Sequence, residues 1–367
     1  MGCFVSPVAK FLRPRFPWTR LSPDEGDEGK GVRALKTGDV LWRRQPVVDV
    51  SLAVIVATKN RSDEIEQYAL SSLERSVFRD FVCVVWDASD DERTRRIVES
   101  GKWTFSLEYF KAPRSGLTSQ RNDAVEHVLK SFPHVAYLLF IDDDSELAND
   151  ALQGLLQSFG DGAIWGVNIP HVAAIDGAND DKSFSLSSRS RIMTSYLHNR
   201  STCPEAHGID VEWLSGCSMA FRRNVFDELG LRFPEEFQRF GGYALGEDVA
   251  LSYYLYTKMN KKLINSVLGT LCHHAAKGAR LNIINMAASK WYNFHLLFDC
   301  IYDDVRGAER LWLRFKFKLF MIAAALKLLL RARSFDLTSM IKGVSKANAA
   351  LREFRLSSNS YSLFKSK

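Results

Sequence analysis

The sequence predicts an α/β protein built on a doubly wound, mainly parallel mixed sheet with a C-terminal helical extension. Two observations support this prediction. Four apolar runs of strand length alternate with segments whose apolar residues recur at helical spacing, which is the pattern of successive βαβ units. From residue 282 to near the end, the helical pattern continues. With 367 residues, 46% of them hydrophobic, the chain can bury a substantial core.

The strands of the first half are nearly uninterrupted apolar runs, as expected for strands covered on both faces. The first helix begins at a polar cap, Ser62 or Asp63, followed by apolar residues at helical spacing. In chain order we predict a strand at 50–57, a helix from 62, a strand at 81–86, a helix at 92–100, a strand at 105–109, a helix at 117–130 and a strand at 137–141.

The second half is less regular. Gly216 interrupts a strand-like run, which is typical of a position where a ligand approaches the backbone. In this half we predict a helix at 147–159, a strand at 164–169, a mobile polar loop at 176–190, a strand at 213–221, a glycine-rich turn at 241–248, a helix at 249–259 and a strand at 267–272.

These elements divide the chain into four parts. Residues 1–48 contain five prolines and a Gly/Asp/Glu stretch, so we predict an irregular N-terminal arm. We predict that residues 49–146 and 147–280 form two halves of one domain. Residues 281–367 form a C-terminal helical region. The arm opens with Met1-Gly2-Cys3, which matches a pattern for N-myristoylation.

Charge, cysteine spacing and hydropathy indicate which partners and which compartment the protein is suited to. A net charge of +6 suits an anionic ligand or a negative membrane surface, but no basic block with interleaved aromatic residues indicates a nucleic-acid partner. The six cysteines show no CxxC spacing and are typical of thiols in a reducing compartment. There is no secretory signal pattern and no run of 18 apolar residues. We therefore expect a cytoplasmic protein.

One C-terminal segment leaves two alternatives open. The run 319–330 is apolar except for Lys327, and basic residues flank it on both sides. A basic amphipathic helix on the cytoplasmic face of an anionic membrane explains this pattern, as in a peripheral membrane protein. A helix docked on the core of the protein explains it as well.

The fourth predicted strand leads into three consecutive carboxylates, Asp142, Asp143 and Asp144. Ligands of open α/β sheets bind at the carboxyl ends of the strands. Oxygen ligands suit Mg²⁺ or Mn²⁺, which bind through carboxylates and substrate phosphates. The alternative is an acidic turn that caps the next helix at Asp144 or Ser145.

The segment that follows the first strand lacks the common nucleotide-binding loops. Its sequence, Ala57–Arg61, contains neither G-x-G-x-x-G nor G-x-x-x-x-G-K-[ST]. The chain instead resembles the family 2 glycosyltransferases, with the GT-A fold, over roughly residues 50–275. Five motifs carry the resemblance in the family's order: Thr58–Arg61 after the first strand, Val85–Ser89, the G-x-x-x-x-R-N pattern Gly116–Asn122, the D-x-D strand end Phe140–Asp144 and the E-D pair in Gly246–Asp248.

This resemblance implies that a sugar is transferred from a nucleotide diphosphate sugar to an acceptor hydroxyl with inversion. It also implies that residues 49–146 are the nucleotide-sugar-binding half of the domain and residues 147–280 its acceptor-binding and catalytic half. It assigns Mn²⁺ or Mg²⁺ to Asp144 and Asp142, with His273 as a third ligand and His274 as its alternative. Asp248 matches the catalytic base, and Glu247 is its catalytic neighbour. The residues expected at the donor nucleotide are Thr58, Asn60, Arg61, Asp87, Arg121, Asp142 and Asp143. Trp213 and Gly216 are expected at the donor or acceptor sugar.

The sequence therefore predicts an inverting, metal-dependent glycosyltransferase that uses a UDP or dTDP sugar. The expected acceptor is a glycan or a lipid-linked molecule, and cell-surface polysaccharide or glycolipid synthesis is the expected role. A non-catalytic sugar-nucleotide-binding partner protein is the main alternative. A sugar nucleotidyltransferase fits less well because its glycine-rich loop is missing. A phosphatase or hydrolase leaves Glu247 and Asp248 without a role.

Overall fold

The structure is a computed structural model. It describes residues 42–44, 50–172, 192–193, 197, 199–200, 207–242, 244–274, 282–331, 337–357 and 363–364. Several predictions lie outside these residues: the lipidation pattern at Met1–Cys3, most of the N-terminal arm, and the polar loop at 176–190.

A nine-stranded mixed sheet forms the centre of the described part, in the order β1-β4-β3-β2-β5-β12-β7-β13-β11. Its strands are β1 (Trp42–Arg44), β2 (Leu52–Thr58), β3 (Phe81–Asp87), β4 (Ser106–Lys111), β5 (Tyr137–Asp142), β7 (Ile164–Asn168), β11 (Asp210–Val211), β12 (Ser218–Arg222) and β13 (Lys262–Asn265). A three-stranded sheet contains β6 (Ser145–Leu147), β14 (Leu271–His273) and β8 (His171–Val172), and β9 (Ile192–Met193) pairs with β10 (Asn199–Arg200).

The helices cover both faces of this sheet. The first is continuous from 62 to 75 but contains a π-helical stretch: α1 (Ser62–Glu64), Ile65–Leu70 and α2 (Ser71–Arg75). The others are α3 (Arg93–Glu99), α4 (Leu117–Ser131), α5 (Ala151–Ser158), α6 (Glu247–Lys258), α7 (Ile283–Ile301), α8 (Gly307–Arg331) and α9 (Leu337–Ser357), with 3-10 turns at Arg223–Val225 and Glu235–Gln238.

The parallel centre of the sheet brings polar strand ends together. Strands β3, β2 and β5 are parallel and almost wholly buried, which explains their continuous apolar sequences. Their register places Thr58 opposite Asp87 and Ala57 opposite Asp142. The carboxyl ends of three strands therefore meet at one edge.

The second half adds antiparallel strands and the small sheet. Strand β12 lies between β5 and β7 and is antiparallel to both. In the small sheet β14 pairs with β6, so that His273 lies opposite Ser145. This pairing brings a segment near residue 270 to the end of β5.

Three predicted elements are wrong in their bounds. The predicted helix at 147–159 begins only at Ala151, because Ser145–Leu147 pairs as a strand with β14. The predicted strand at 213–221 is reduced to Ser218–Arg222, since a turn at Gly216–Cys217 precedes it. The strand predicted at 267–272 is Leu271–His273, after a turn in which Gly269 has a φ of 78°.

The predicted irregular arm also needs a correction. Residues Trp42–Arg44 form the edge strand β1, which pairs antiparallel with β4. The other predicted domain limits stay predictions.

The C-terminal helices pack on the domain through a continuous core. Buried side chains of α7, among them Tyr292 and Phe298, join the main core together with Phe317 of α8 and Leu351 of α9. Helices α7 and α9 approach closely at Gly343, where an added Cβ would lie 2.5 Å from the Ile284 carbonyl oxygen. Among the described residues, no helix is long and apolar enough to cross a membrane.

We expect Gly343→Ala to destabilise the protein. Overpacking costs about 1–3 kcal/mol, which exceeds the gain of up to about 1 kcal/mol from alanine in a helix interior. The matched control is Gly162→Ala, where nothing lies within 4 Å of the added Cβ. Denaturant unfolding measures both, and equal stability of the two variants would contradict the close packing of α7 on α9.

Candidate active site

The candidate active site lies at the carboxyl ends of β2, β3 and β5, where open α/β sheets bind ligands. At its centre is the acidic turn, which we define as Asp142–Asp144. The three carboxylates differ in exposure: the Asp142 side chain is 32% exposed, whereas those of Asp143 and Asp144 are 5% exposed. Only Asp142 is therefore open to a ligand without rearrangement.

Asp143 points into the protein. Its Oδ2 accepts a hydrogen bond of 2.7 Å from Thr58 Oγ1, and its Oδ1 lies 3.0 Å from Arg61 Nη1. Burial raises the pKa of Asp143 to about 7, although Arg61 and Thr58 oppose this shift. The contacts join the acidic turn to the end of β2. Asp143 thus positions Thr58 and Arg61, and its predicted contact with a nucleotide stays untested.

Asp142 and Asp144 both face His273. The Nε2 atom of His273 lies 3.0 Å from Asp144 Oδ1 and 3.6 Å from Asp142 Oδ2. The hydrogen bond to Asp144 raises the pKa of His273. A metal bound by this imidazole would displace its proton. His274 points elsewhere: its ring stacks on Tyr68 at 3.9 Å, and its Nε2 lies 2.8 Å from Glu146.

A cysteine that sequence reasoning did not assign to the site joins these ligands. Potential ligand atoms of Asp142, Cys217 and His273 all lie within 4.8 Å of one another, and we call these residues the metal group. Cys217 is buried, and its Sγ lies 3.3 Å from His171 Nε2. Its position directly after Gly216 was the available sequence signal, but the spacing of the cysteines predicts only that Cys217, like the others, is a thiol of a reducing compartment.

Arg121 connects the metal group to the E-D pair. The guanidinium is only 2% exposed and donates to Glu247 Oε1 at 2.9 Å, Asp142 Oδ1 at 3.0 Å and the Gly216 carbonyl at 2.9 Å. Helix α4 supplies this residue from its second turn. Since a buried charge requires partners, Arg121 fixes three separate segments of the site.

Glu247 and Asp248 begin helix α6, after Gly246 in the left-handed region with a φ of 82°. Asp248 Oδ2 accepts a hydrogen bond from the Gly216 N–H at 2.7 Å, and its Oδ1 accepts from the Val249 N–H at 2.8 Å. Burial raises the pKa of Asp248. Burial and the neighbouring Asp248 raise the pKa of Glu247 to about 7, against the effect of Arg121.

The loop after β2 and the end of β3 form a second polar cluster. Asn60 adopts a φ of 55°, its backbone N–H donates to Ser89, and its side-chain amide donates to Asp90. Asp87 is fully buried, and its two oxygens accept hydrogen bonds from Tyr109 and from the Ser89 N–H. A base contact by Asp87 would add to these bonds, and it stays a prediction.

Gln120 is a second residue that sequence reasoning missed. Its buried side-chain amide donates to the carbonyls of Thr58, at 3.0 Å, and of Trp86, at 2.8 Å. It holds the ends of β2 and β3 at a fixed spacing. The signal was its place directly before Arg121 in the G-x-x-x-x-R-N pattern.

The two residues expected at a sugar occupy different environments. The backbone of Gly216 lies between Arg121 and Asp248, and a Cβ there would come within 3.2 Å of Asp248 Oδ2. Trp213 lies in the main core and is 8% exposed. Its proposed sugar contact stays a prediction.

The charge of the site suits a divalent cation. Five carboxylates lie in it, those of Asp142–Asp144 and of Glu247–Asp248, while Arg61 and Arg121 supply two fixed positive charges. Carboxylate, imidazole and thiolate are all ligands of divalent transition metals. The residues present therefore fit a bound metal ion.

Comparison with known proteins agrees with this geometry. The family model described as glycosyl transferase family 2 matches residues 53–230. A search of curated protein sequences gave no match. Among solved structures, residues 1–349 of S. aureus TarS in complex with UDP-GlcNAc are similar with a TM-score of 0.53 and 17% identity, over 82% of this chain and 82% of that chain.

Two further structures match with scores below 0.5, on which no argument rests. A longer chain of S. aureus TarS is similar with a TM-score of 0.48 and 18% identity. The match covers 73% of this chain but only 43% of the TarS chain. A mannosyltransferase from Pyrobaculum calidifontis in complex with GDP-Man and Mn²⁺ is similar with a TM-score of 0.48 and 16% identity, over 84% of this chain and 82% of that chain. The chain thus has a GT-A-like fold, and its residues 53–230, just under half of its length, match glycosyl transferase family 2.

Proposed function

We propose that the protein is an inverting, metal-dependent glycosyltransferase that moves a sugar from a UDP or dTDP sugar to a hydroxyl of a glycan or lipid-linked acceptor. One observation supports this function above the others. Arg121 bonds at once to Asp142 of the metal group and to Glu247 of the E-D pair. The groups needed for the leaving diphosphate and for the acceptor thus belong to one site.

The donor nucleotide would bind along the ends of β2 and β3. Thr58, Asn60, Arg61 and Asp87 lie there, and Arg61 is 25% exposed. The similar TarS structure contains UDP-GlcNAc, which favours a pyrimidine nucleotide. The exposed part of Arg61 is suited to a phosphate or ribose oxygen because a guanidinium presents several donors.

The metal would be Mn²⁺ or Mg²⁺, held by Asp142 and His273, with Asp144 and Cys217 beside them. When bound, it would neutralise charge on the departing diphosphate as a Lewis acid. Asp142 would then divide its oxygens between the metal and Arg121. That division keeps the exposed carboxylate oriented towards the donor.

Asp248 would accept the proton of the acceptor hydroxyl. Inverting transfer requires a carboxylate on the face opposite the leaving group. The N–H groups of Gly216 and Val249 hold the Asp248 oxygens in place. The raised pKa of Asp248 makes it a stronger base than an exposed aspartate. Glu247 keeps Arg121 in position and is suited to contact the acceptor.

We further propose that the protein works in the cytoplasm, in polysaccharide or glycolipid synthesis. The six cysteines, which show no CxxC spacing, support a reducing compartment. The basic C-terminal helices support contact with an anionic surface.

Titration calorimetry of UDP, dTDP and GDP with Mn²⁺, Mg²⁺ or EDTA tests the donor site. We expect a pyrimidine diphosphate to bind with metal, and EDTA or Asp144→Ala to weaken binding by about tenfold or more. The control Asp227→Ala removes a surface carboxylate that is 54% exposed and should change nothing. If no nucleotide binds with any metal, the transferase proposal fails, and so does the alternative of a non-catalytic sugar-nucleotide-binding protein.

Asp248→Asn tests the proposed base. The amide keeps the size of the side chain but is a very weak base, so we expect nucleotide release from the donor sugar to slow by about 100-fold or more. UDP affinity should stay within about threefold of wild type, because Asp248 is not placed at the nucleotide. Unchanged turnover in this variant, at equal UDP affinity, would exclude Asp248 as the base.

Cobalt substitution tests the place of Cys217 in the metal group. A thiolate that binds Co²⁺ gives an intense sulfur-to-metal charge-transfer absorption. We expect this band in the wild type and its loss in Cys217→Ser. Cys272→Ser, a cysteine on β14 outside the metal group, should retain it. Identical spectra for all three proteins would show that Cys217 lies near the metal without binding it.

A further inference from the structure

Helix α8 exposes a second apolar face in addition to the one that docks on the domain. Six large apolar side chains of this helix, each at least 50% exposed, are Leu311, Trp312, Phe315, Leu319, Ile322 and Leu326. We call them the apolar face of α8. Soluble monomers rarely expose a contiguous apolar patch of more than a few hundred Å². An apolar face of this size therefore needs a partner.

The spacing of these residues defines a continuous stripe. Successive members mostly lie three or four positions apart, which places them on one side of a helix. Phe317 and Met321, which are 0% and 7% exposed, lie on the opposite side and join the core. From Leu311 to Leu326 the stripe extends for about 22 Å. The sequence left two alternatives for this segment, a helix docked on the core and a helix on a membrane surface. Docking on the core explains the buried side of α8 but leaves the opposite side uncovered.

The charges of α8 indicate what covers the stripe. The helix contains six basic residues and one acidic residue, Glu309. Arg310 and Arg314 pair with Asp299 on the inner side. Lys318 is exposed beside the stripe, and Lys316 lies 5.0 Å from the Trp312 ring centre. Positive groups therefore border the apolar face.

This charge favours a membrane over a second copy of the chain. Two copies joined through α8 would bring the lysines of one helix close to those of the other. Anionic lipid headgroups would instead neutralise them, at about 1 kcal/mol for each basic residue near the surface. Trp and Phe beside Lys are typical of helices that lie in the plane of the interface.

We propose that α8 lies in the plane of an anionic membrane surface, with its apolar face in the boundary between headgroups and acyl chains. The described part of the chain contains no helix able to span the bilayer, so this contact is a surface attachment. The proposal does not depend on the transferase activity. A protein held at the membrane by α8 would meet its acceptors by diffusing along the membrane surface.

Vesicle flotation of the full-length protein tests the proposal. We expect binding to phosphatidylcholine vesicles that contain phosphatidylserine, weaker binding at high salt, and little binding to phosphatidylcholine alone. Leu319→Gln with Ile322→Gln should reduce binding by about tenfold or more, since these two apolar side chains would otherwise be buried in the membrane. Lys316→Glu with Lys318→Glu should abolish the preference for phosphatidylserine.

The matched control replaces two exposed apolar residues outside the C-terminal helices, Val77→Gln with Val267→Gln. It should bind vesicles as the wild type does. Circular dichroism checks that each variant is folded. Absence of binding to anionic vesicles would overturn the proposal, and so would equal binding by the Leu319/Ile322 variant. A wild-type dimer in light scattering that this variant makes monomeric would assign the face to a second copy instead.

Discussion

The buried guanidinium of Arg121 is the interaction on which the active site depends. A charge that is 2% exposed is stable only if its donors are satisfied, and its three acceptors come from the end of β5, the turn before β12 and the start of α6. These segments are far apart in sequence. Their relative positions therefore follow from the requirements of one side chain, and both the metal group and the proposed base are aligned to it.

The inward carboxylates give the site a second constraint. Asp143 binds Thr58 and Arg61, while Asp248 accepts two backbone N–H groups. Each therefore has internal partners that orient it before any ligand arrives. Asp142 and Asp144 both face His273, and of these two carboxylates only Asp142 is open to the crevice. The acidic turn thus combines one carboxylate that is held inside the protein, Asp143, with one that is open to a ligand, Asp142.

The parts of the fold set by local sequence were predictable, and the parts set by distant pairing were not. The buried strands 52–58 and 81–87 follow from continuous apolar runs, and the helix of Arg121 follows from its periodicity. The strand Ser145–Leu147 exists because Leu271–His273 pairs with it, and no local pattern encodes that partner. Cys217 enters the metal group for the same reason, since its neighbours in space come from β5 and β14.

The pairing of β14 with β6 also bears on how the protein folds. His273 reaches the acidic turn only when a long loop has closed, and contacts of high sequence separation form slowly because their entropy cost precedes their gain. A cation shared by Asp142 and His273 would bind only chains in which this loop is closed. The metal concentration would then set the fraction of chains in which β14 is paired with β6.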